Sequence, residues 1–319
     1  MDMTNGKGVL KPKKFLSEKT KKLIFFICMA APLILQVCVF YIYVNVSNIA
    51  LAFSEYEEVT GVGFVGHFAG FTNFKSVLQT LFKSENVGMF GVSFLMYCFV
   101  AILATPISII FSFYVYKKYF LSEFFRVILF FPQIISTVIM SSLYSFMVGE
   151  IYMLITGAES SLLAISNESS TIVLTIIFYN LWMGFGANIL LASGAMSGIN
   201  ESIVESCHLD GCNTIQEFIY ITLPSIYPTI TTFVVIDLAA IFSNQMNLYT
   251  FFAQNAPEGV RSIGYFLYVH TVHSPGLTPN DLYMTYPQVS SLGLMITLVV
   301  LPVTLTVRKL MKKFGPSDE

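Results

Sequence analysis

Residues Glu205–Pro224 read ESCHLDGCNTIQEFIYITLP, a polar and acidic stretch set between two long apolar runs. Asn200 can cap a short helix over 201–209 by accepting a hydrogen bond from an otherwise unpaired amide. Gly211 is expected to end that helix, because glycine tolerates the left-handed conformation that a helix stop needs. Asn213, with a glutamine three residues later, is typical of a capping box that opens a second helix. The stretch therefore predicts a helix, a break and another helix.

The second helix of this stretch is predicted to be amphipathic. Its apolar residues are spaced to form one face, and they are Ile215, Phe218, Ile219 and Leu223. A short amphipathic helix presented between apolar runs is suited to docking into another protein. We therefore expect a protein partner at this point of the chain.

The rest of the chain is strongly apolar. Of its 319 residues, 55% are apolar and 11% are charged, whereas soluble domains carry roughly 25% charged residues. The mean hydropathy is +0.70. A net charge of -2 and the lack of a basic patch with interleaved aromatic residues outside the N-terminal tail give no indication of a nucleic-acid partner. These values predict an integral membrane protein.

Six apolar segments are long enough to cross a bilayer. The first, 23–46, carries no charge and matches a hydrocarbon core of roughly 30 Å, and it is too long for the core of a signal peptide. The others follow at 89–116, 127–148, 171–195, 224–248 and 288–307. We expect cytoplasmic tails at 1–22 and 311–319 and an external segment at 47–88.

The charges of the connecting segments predict the orientation. With both termini in the cytoplasm, the basic residues on that side are seven lysines in the first tail, four residues near the C-terminus, and Lys117, Lys118 and Arg126. The basic residues outside are Lys75, Lys83 and Arg261. This distribution satisfies the positive-inside rule. It also places the 205–224 stretch in the cytoplasm, where its lack of Lys and Arg fits a surface for a protein partner.

The same stretch resembles the signature of a known family. In permease subunits of binding-protein-dependent ABC importers, the cytoplasmic signature reads Glu-Ala-Ala, three residues, Gly, nine residues and Ile-x-Leu-Pro. The matching positions here are Glu205, Gly211, Ile221, Leu223 and Pro224. The flanking Asp210 and Phe218 resemble the maltose-type, sugar-permease branch in particular. One departure is Ser206-Cys207, where the family has two alanines, and both replacements are small.

This resemblance implies an all-α polytopic membrane protein with six transmembrane helices and the type I permease fold of ABC importers. The permease core would be 89–310, with a cytoplasmic coupling loop at about 196–224. In that family the first helix of the loop inserts into a cleft on an ATPase. The resemblance thus assigns ATPase coupling to Glu205, Ser206, Cys207, Asp210, Gly211, Ile221, Leu223 and Pro224.

The resemblance also implies an assembly in the bacterial plasma membrane. The assembly would contain a second homologous permease subunit, two cytoplasmic ATPase subunits and an extracellular solute-binding lipoprotein, and this chain would also contact membrane lipid. The chain itself has no Gly-x4-Gly-Lys-Ser/Thr motif to hold the phosphates of a nucleotide. We therefore expect no enzymatic activity and no cofactor in this chain, with ATP and Mg²⁺ bound by the ATPase subunits.

Polar residues inside the predicted spans are candidates for a solute path, because polar groups are costly within a bilayer and tend to mark function. These candidates are Gln133, Asn180, Asn188, Asp237 and Asn244. Amide and carboxylate groups suit the hydroxyl groups of a sugar, which need paired donors and acceptors. The alternative is that these side chains mediate packing between membrane helices.

The five cysteines lie in apolar spans or in the 205–224 stretch, which argues against a disulfide framework. A metal site at Cys207, His208 and Cys212 is an alternative. A closed structural zinc site wants four ligands at tighter spacing. We therefore expect no metal.

The predicted function is import of a carbohydrate, which we expect to be an oligosaccharide. A phosphate-bearing solute would favour Lys or Arg in the path, and spans three to six contain neither before Arg308. Another solute class of the same importer family is one alternative. A secondary transporter is another, but it would predict inverted repeats and broken helices, and the sequence contains no such repeat.

Overall fold

The computed structural model describes residues 17–59, 63–278 and 282–316. Contacts divide the chain into two compact units, Met1–Ala50 and Leu51–Glu319. Most of the predicted tail at 1–22, and the end of the predicted tail at 311–319, lie outside the described residues.

The first unit is built on one long helical stretch. Here α1 (Glu18–Gln36) continues through a π-helical turn (Val37–Tyr43) into α2 (Val44–Ala52). The stretch is long and apolar enough to cross a membrane, and its most apolar window has no buried residue. Exposed apolar side chains on a fully hydrogen-bonded helix are suited to lipid. The predicted first span, 23–46, lies within it.

A β-hairpin opens the second unit. Strands β1 (Ser54–Val59) and β2 (Gly63–Phe68) pair antiparallel. The Asn73 side chain, on α3 (Thr72–Leu81), donates hydrogen bonds to the carbonyls of Ala52 at 3.1 Å and Ser54 at 2.8 Å. The sequence predicts a mixed external segment here and no strands. Three glutamates in β1 hide the alternation of apolar and polar residues that marks a strand.

Two long helices, α4 (Ser84–Tyr116) and α8 (Ser169–Met196), form the centre of the second unit and pack along each other. The Ser112 hydroxyl on α4 contacts the Ile189 carbonyl on α8 at 3.2 Å. The predicted spans 89–116 and 171–195 lie within these helices. Their buried residues include Met96, Ile109, Phe113, Ile172, Ile176, Ile189 and Met196.

Between α4 and α8 the structure differs from the predicted single span at 127–148. Helix α5 (Ser122–Ile134) ends at Ile135, which is extended, and α6 (Thr137–Phe146) then begins. Pro132 lacks an amide proton and so removes a hydrogen bond near the end of α5. Beyond α6 a π-helical turn (Met147–Ile151) leads into α7 (Tyr152–Thr156), so the membrane-length helical stretch is Thr137–Thr156.

Helices α5 and α8 approach very closely at Gly186. A Cβ atom at this position would lie 2.6 Å from the Leu129 carbonyl oxygen and 2.7 Å from the Phe130 Cα. Both neighbours are backbone atoms of α5, which cannot turn aside as a side chain would. Small residues allow this kind of close packing between membrane helices. Glycine is therefore required where α5 crosses α8.

The 205–224 stretch joins α8 to the remaining helices. It forms α9 (Glu201–Leu209), α10 (Thr214–Glu217), a π-helical turn (Phe218–Thr222) and α11 (Leu223–Ser225), before α12 (Tyr227–Ala239). The helical run Thr214–Ser225 meets α12 at an angle of 66°. The prediction of a fifth span reaching residue 248 is wrong at its end, because the helix stops at Ala239. The connection at 240–247 is irregular, and Met246 and Asn247 at its end take positive φ angles that an α-helix does not allow.

The last part of the chain forms α13 (Leu248–Phe252), a 3₁₀ turn (Glu258–Val260), α14 (Ile263–Val272) and α15 (Tyr286–Phe314). The predicted sixth span, 288–307, lies within α15. In the part of the chain that the structure describes, five helices are long and apolar enough to cross a membrane, or six with the bent pair as one span. The predicted class, a helical polytopic membrane protein, is confirmed.

Candidate functional site

The first helix of the 205–224 stretch has the bounds and the cap that its sequence predicts. The Asn200 side chain accepts a hydrogen bond from the Ser202 amide at 3.1 Å, and α9 ends before Gly211. Gly211 has a φ angle of +81°. This left-handed conformation suits glycine and turns the chain away from α9. The prediction of a helix stop at Asp210-Gly211 is confirmed.

The second helix opens with the predicted capping box. The Gln216 amide donates to the Asn213 side chain at 2.8 Å, and the Asn213 amide donates to the Gln216 side chain at 2.8 Å. This reciprocal pair satisfies two backbone donors that would otherwise be unpaired. The start of α10 is therefore fixed by its own sequence.

The prediction of a single apolar face on the second helix is wrong. Phe218 and Leu223 pack into a buried cluster, whereas Ile215 and Ile219 are exposed. The π-helical turn at Phe218–Thr222 changes the spacing between Ile219 and Leu223, whereas Ile215 lies before it.

Helix α9 stands out from the fold. None of its residues is buried, and its side chains include exposed apolar ones, with Leu209 88% and Ile203 50% exposed. A cavity of about 450 Å³ lies beside it, lined in part by Ser206, Cys207 and Tyr220. Exposed apolar residues around a concave surface are typical of a protein interaction site.

The residues predicted to couple to an ATPase lie on both sides of the Gly211 turn. Glu205 and Ser206 are exposed on α9, and Asp210 and Gly211 form the turn. The remaining members of the set are Cys207, Ile221, Leu223 and Pro224, which are partly buried. All the residues predicted to couple to an ATPase therefore lie on one loop, and the acidic residues Glu205 and Asp210 are exposed.

Cys207 and Cys212 are joined by a disulfide across the turn, with their Cα atoms 5.4 Å apart. The sequence argues against a disulfide framework, and it does not predict this single bridge. Distribution of cysteines along a sequence cannot reveal that a glycine turn brings two of them together. The described residues contain no group of three or more His, Cys, Asp or Glu side chains placed to hold a metal ion.

Sequence reasoning missed a charged residue in this loop. The Glu217 side chain is completely buried, and its carboxylate contacts Lys117 Nζ at 2.6 Å and His208 Nε2 at 3.2 Å. In sequence it appears as an ordinary polar residue of an amphipathic helix. Its burial depends on Lys117, which follows α4 and is distant along the chain.

A buried apolar cluster lies next to this carboxylate. It contains residues from the ends of α4, α8 and the start of α12, namely Ile109, Phe113, Met196 and Ile226. The Phe218 ring packs against the Phe113 ring with centroids 4.9 Å apart. The loop is therefore anchored to the ends of three long helices at one place.

Three of the candidate path residues are engaged in hydrogen bonds within the protein. Gln133 donates to the Met183 carbonyl at 2.9 Å, and Asn244 accepts from the Met246 amide at 2.8 Å. Asn180 donates to the carbonyls of Ile176 and Met246 and accepts from Asn247. Asn180 and Asn244 thus converge on the Met246 backbone and hold the turn after α12.

The other two candidates, Asn188 and Asp237, are half-buried on α8 and α12. Within the ranges that the structure describes, neither side chain forms a hydrogen bond. A half-buried polar side chain without a hydrogen bond inside the protein can bind water or another molecule. These two positions are the better candidates for contact with a solute.

Aromatic residues on α6, α8 and α13 form a cluster that the sequence analysis did not assemble. Tyr179 lies 5.0 Å from Tyr144 and 4.9 Å from Phe251 between ring centroids, and Trp182 lies 6.4 Å from Tyr144. The Tyr144 hydroxyl donates to the Thr175 carbonyl at 2.8 Å. The cluster packs α6 and α13 against α8.

Comparison with known proteins identifies a matching family. The family model described as "Binding-protein-dependent transport system inner membrane component" matches residues 93–317 of the chain. This range begins within α4 and includes α9 and the Gly211 turn.

Similar proteins, matched over most of their length, carry transport names. "Arabinooligosaccharides transport system permease protein AraP" of Bacillus subtilis (strain 168) is 24% identical over 313 residues, covering 94% of this chain and 91% of the relative. "Multiple sugar-binding transport system permease protein MsmF" of Streptococcus mutans serotype c is 24% identical over 294 residues, covering 90% and 94%.

A solved structure has the same fold. A chain of a bacterial ABC transporter involved in the import of the acidic polysaccharide alginate matches with a TM-score of 0.70 at 18% identity, covering 94% of this chain and 99% of that chain. The same agreement holds for the alginate transporter in complex with an alginate pentasaccharide-bound periplasmic protein.

Proposed function

Because the chain belongs to the family of binding-protein-dependent transport system inner membrane components, we propose that it is the permease subunit of an ATP-driven carbohydrate importer. The solute, which we expect to be an oligosaccharide, passes from an extracellular binding protein into the cytoplasm. Similar proteins are named for arabinooligosaccharides and multiple sugars, and the similar solved transporter imports a polysaccharide. These names support a carbohydrate as the solute class.

The observation that carries this proposal is the exposed helix α9, followed by the Gly211 turn. A helix with exposed apolar residues and an acidic side, projecting from a membrane protein, needs a partner to cover it. We take that partner to be an ATPase subunit. Glu205 pairs with a basic group or donor on the ATPase, and Ser206 and Cys207 provide close packing.

The other residues predicted to couple to the ATPase stabilise the conformation of the loop. Asp210 and Gly211 form the turn, and Ile221, Leu223 and Pro224 anchor the loop to α12. Closure of two ATPase subunits on ATP would displace α9 and rock the spans between inward-open and outward-open states. ATP and Mg²⁺ are bound by the ATPase subunits in this scheme.

The complete assembly contains a second homologous permease subunit and an extracellular solute-binding lipoprotein. Both termini of this chain are cytoplasmic, which is supported by the distribution of Lys and Arg. The chain lies in the bacterial plasma membrane, with the α9 loop on the cytoplasmic side and the β-hairpin outside.

Reconstitution tests the proposed function. The chain is co-expressed with the products of its neighbouring genes, purified as a complex and placed in proteoliposomes with the binding protein. Radiolabelled oligosaccharide is expected to accumulate only when ATP is present on the α9 side. Uptake by this chain alone, driven by an ion gradient, would instead show a secondary transporter.

Thiol labelling tests the orientation. After reduction, Cys207 and Cys212 are expected to react with a membrane-impermeant maleimide only in permeabilised cells, since the loop faces the cytoplasm. A Cys207→Ser, Cys212→Ser double variant gives the background from the other cysteines, Cys28, Cys38 and Cys98. Equal labelling of the wild type in intact cells would place the loop outside and contradict the orientation.

Substitution of two asparagines on α8 distinguishes a role in helix packing from a role in solute contact. Asn180→Ala removes three hydrogen bonds within the protein and should lower the free energy of unfolding by about 1–3 kcal/mol, because partner groups lose their bonds. Asn188→Ala removes none, so it should leave the thermal midpoint of the detergent-solubilised complex unchanged while reducing uptake.

The measurements are the thermal midpoint and the concentration dependence of uptake, compared at equal amounts of assembled complex. If Asn188→Ala transports as the wild type does across the whole solute range, Asn188 is not part of the path.

A further inference from the structure

The carboxylate of Glu217 is the most unusual charged group in the described part of the chain. Its side chain is 0% exposed, whereas those of its partners are 20% exposed for Lys117 and 50% exposed for His208. Oε1 lies 2.6 Å from Lys117 Nζ, and Oε2 lies 3.2 Å from His208 Nε2. Neither oxygen accepts a hydrogen bond of good angle. The contact with Lys117 is an ion pair, and the contact with His208 is one when the imidazole is protonated.

A buried charge of this kind is a poor way to stabilise a fold. Removing a carboxylate and an ammonium from water costs about as much as their attraction returns, and apolar residues of the same volume often serve stability as well or better. Buried ionic groups are better known for fixing one arrangement of elements against others. The geometry here therefore calls for a role in positioning.

Glu217 connects two elements that the chain itself does not connect directly. Lys117 is the cap residue of α4, and its ammonium lies 5.9 Å and 5.8 Å from the ring centroids of Phe113 and Tyr116. His208 lies in the last turn of α9. One carboxylate thus joins the exposed helix of the coupling loop to the end of a membrane-length helix.

An apolar contact reinforces the link at the same place. Phe218, which follows Glu217, packs on Phe113 of α4. The adjacent Ser112 hydroxyl donates to the Ile189 carbonyl on α8. A displacement of α9 would therefore reach α4 through the ion pairs and α8 through α4.

We propose that Glu217 is a positioning residue of the coupling loop, which holds α9 in a fixed orientation to α4 by pairing with His208 and Lys117. This inference rests on the proposed function and deepens it. As long as Glu217 contacts both His208 and Lys117, movement of α9 by the ATPase also moves α4. In a variant that lacks either contact, α9 is no longer held to α4, so that ATP is hydrolysed without transport.

The test measures solute taken up per ATP hydrolysed, in proteoliposomes that contain the complete complex and its binding protein. Glu217→Gln keeps the side-chain size and removes the charge, and His208→Gln breaks only the link to α9. Both are expected to lower the ratio about fivefold or more, which corresponds to about 1 kcal/mol of coupling. ATP hydrolysis per complex is expected to continue.

A matched control is available on helix α5. Glu123 pairs with Arg126 at 3.8 Å, and both side chains are largely exposed. Glu123→Gln removes a carboxylate from a solvated pair and should leave the ratio unchanged, because exposed pairs contribute little. Exchange of the two charges is a second control. The double variant Lys117→Glu, Glu217→Lys should take up more solute per ATP hydrolysed than the single variant Glu217→Lys.

The outcomes separate the two proposals. If the wild-type complex shows no ATP-dependent uptake, the proposed function fails. If the wild type is coupled and the assembled Glu217→Gln and His208→Gln variants keep its ratio, the positioning role is wrong. If the Glu217→Gln complex does not assemble, the His208→Gln variant provides the test. His208 is half-exposed, so its replacement should allow assembly, and it leaves the Lys117–Glu217 pair intact.

Discussion

Gly211→Val is expected to lower ATP-driven uptake by tenfold or more. Gly211 has a φ angle of +81°, and a side chain held in a sparsely populated region of this kind is strained by about 1–3 kcal/mol. The chain relieves the strain by rotating the turn between α9 and α10, which moves α9 out of its docking orientation. Uptake is measured in proteoliposomes with the assembled complex, and solute capture by the binding protein should not change.

Two smaller substitutions identify the cause of the loss. A Cβ atom at Gly211 would meet nothing within 4 Å in this chain, so the fold itself should survive. Asparagine tolerates the left-handed region better than alanine does. Gly211→Asn should therefore retain more uptake than Gly211→Ala, whereas the opposite order would show that space against the partner decides. Wild-type uptake by Gly211→Val would contradict the role of the turn.

Gly186→Leu is expected to destabilise the chain by more than about 3 kcal/mol, above the usual cost of overpacking a core. A Cβ atom there would already lie 2.6 Å from a backbone oxygen of α5, so α5 and α8 must separate. The expected result is a large loss of folded protein recovered from membranes. Size-exclusion chromatography of the detergent-solubilised chain with a fluorescent tag provides the measurement.

Gly184 is the matched control for this substitution, because it lies on the same helix and a Cβ atom at this position would meet nothing within 4 Å. Gly184→Leu should be recovered as well as the wild type, since leucine is a better helix former than glycine. Equal losses for both variants would show that the α5–α8 crossing is not responsible.

Local sequence signals predicted the exposed loop well. The Asn200 cap, the Gly211 stop and the Asn213 capping box each depend on residues within a few positions of one another. The membrane class was equally accessible, because it depends on composition and segment length. The family signature added the expected fold, and the family match agrees with it.

Features that depend on distant residues could not be predicted. The burial of Glu217 requires Lys117, and the need for glycine at position 186 requires the α5 backbone. The sequence also did not predict the break after Pro132 or the early end of α12, because apolar residues continue through the first and beyond the second. Periodicity locates apolar segments but does not show where a helix inside them stops.

For the candidate path, the sequence selected five polar residues without ranking them. The structure distinguishes them by hydrogen bonding, since Asn180 has its bonds within the protein and Asn188 has none in the described ranges. Sequence spacing gives the side of a helix but not the partner of a side chain.

The wide turn at Phe218–Thr222 contains one residue more than an α-helical turn would need. Deleting one of its residues would convert it to an α-helical turn, so that α12 would keep its orientation. The same deletion inside α12 would rotate everything downstream by about 100°. Single-residue deletions should therefore be tolerated better within 218–222 than within α12.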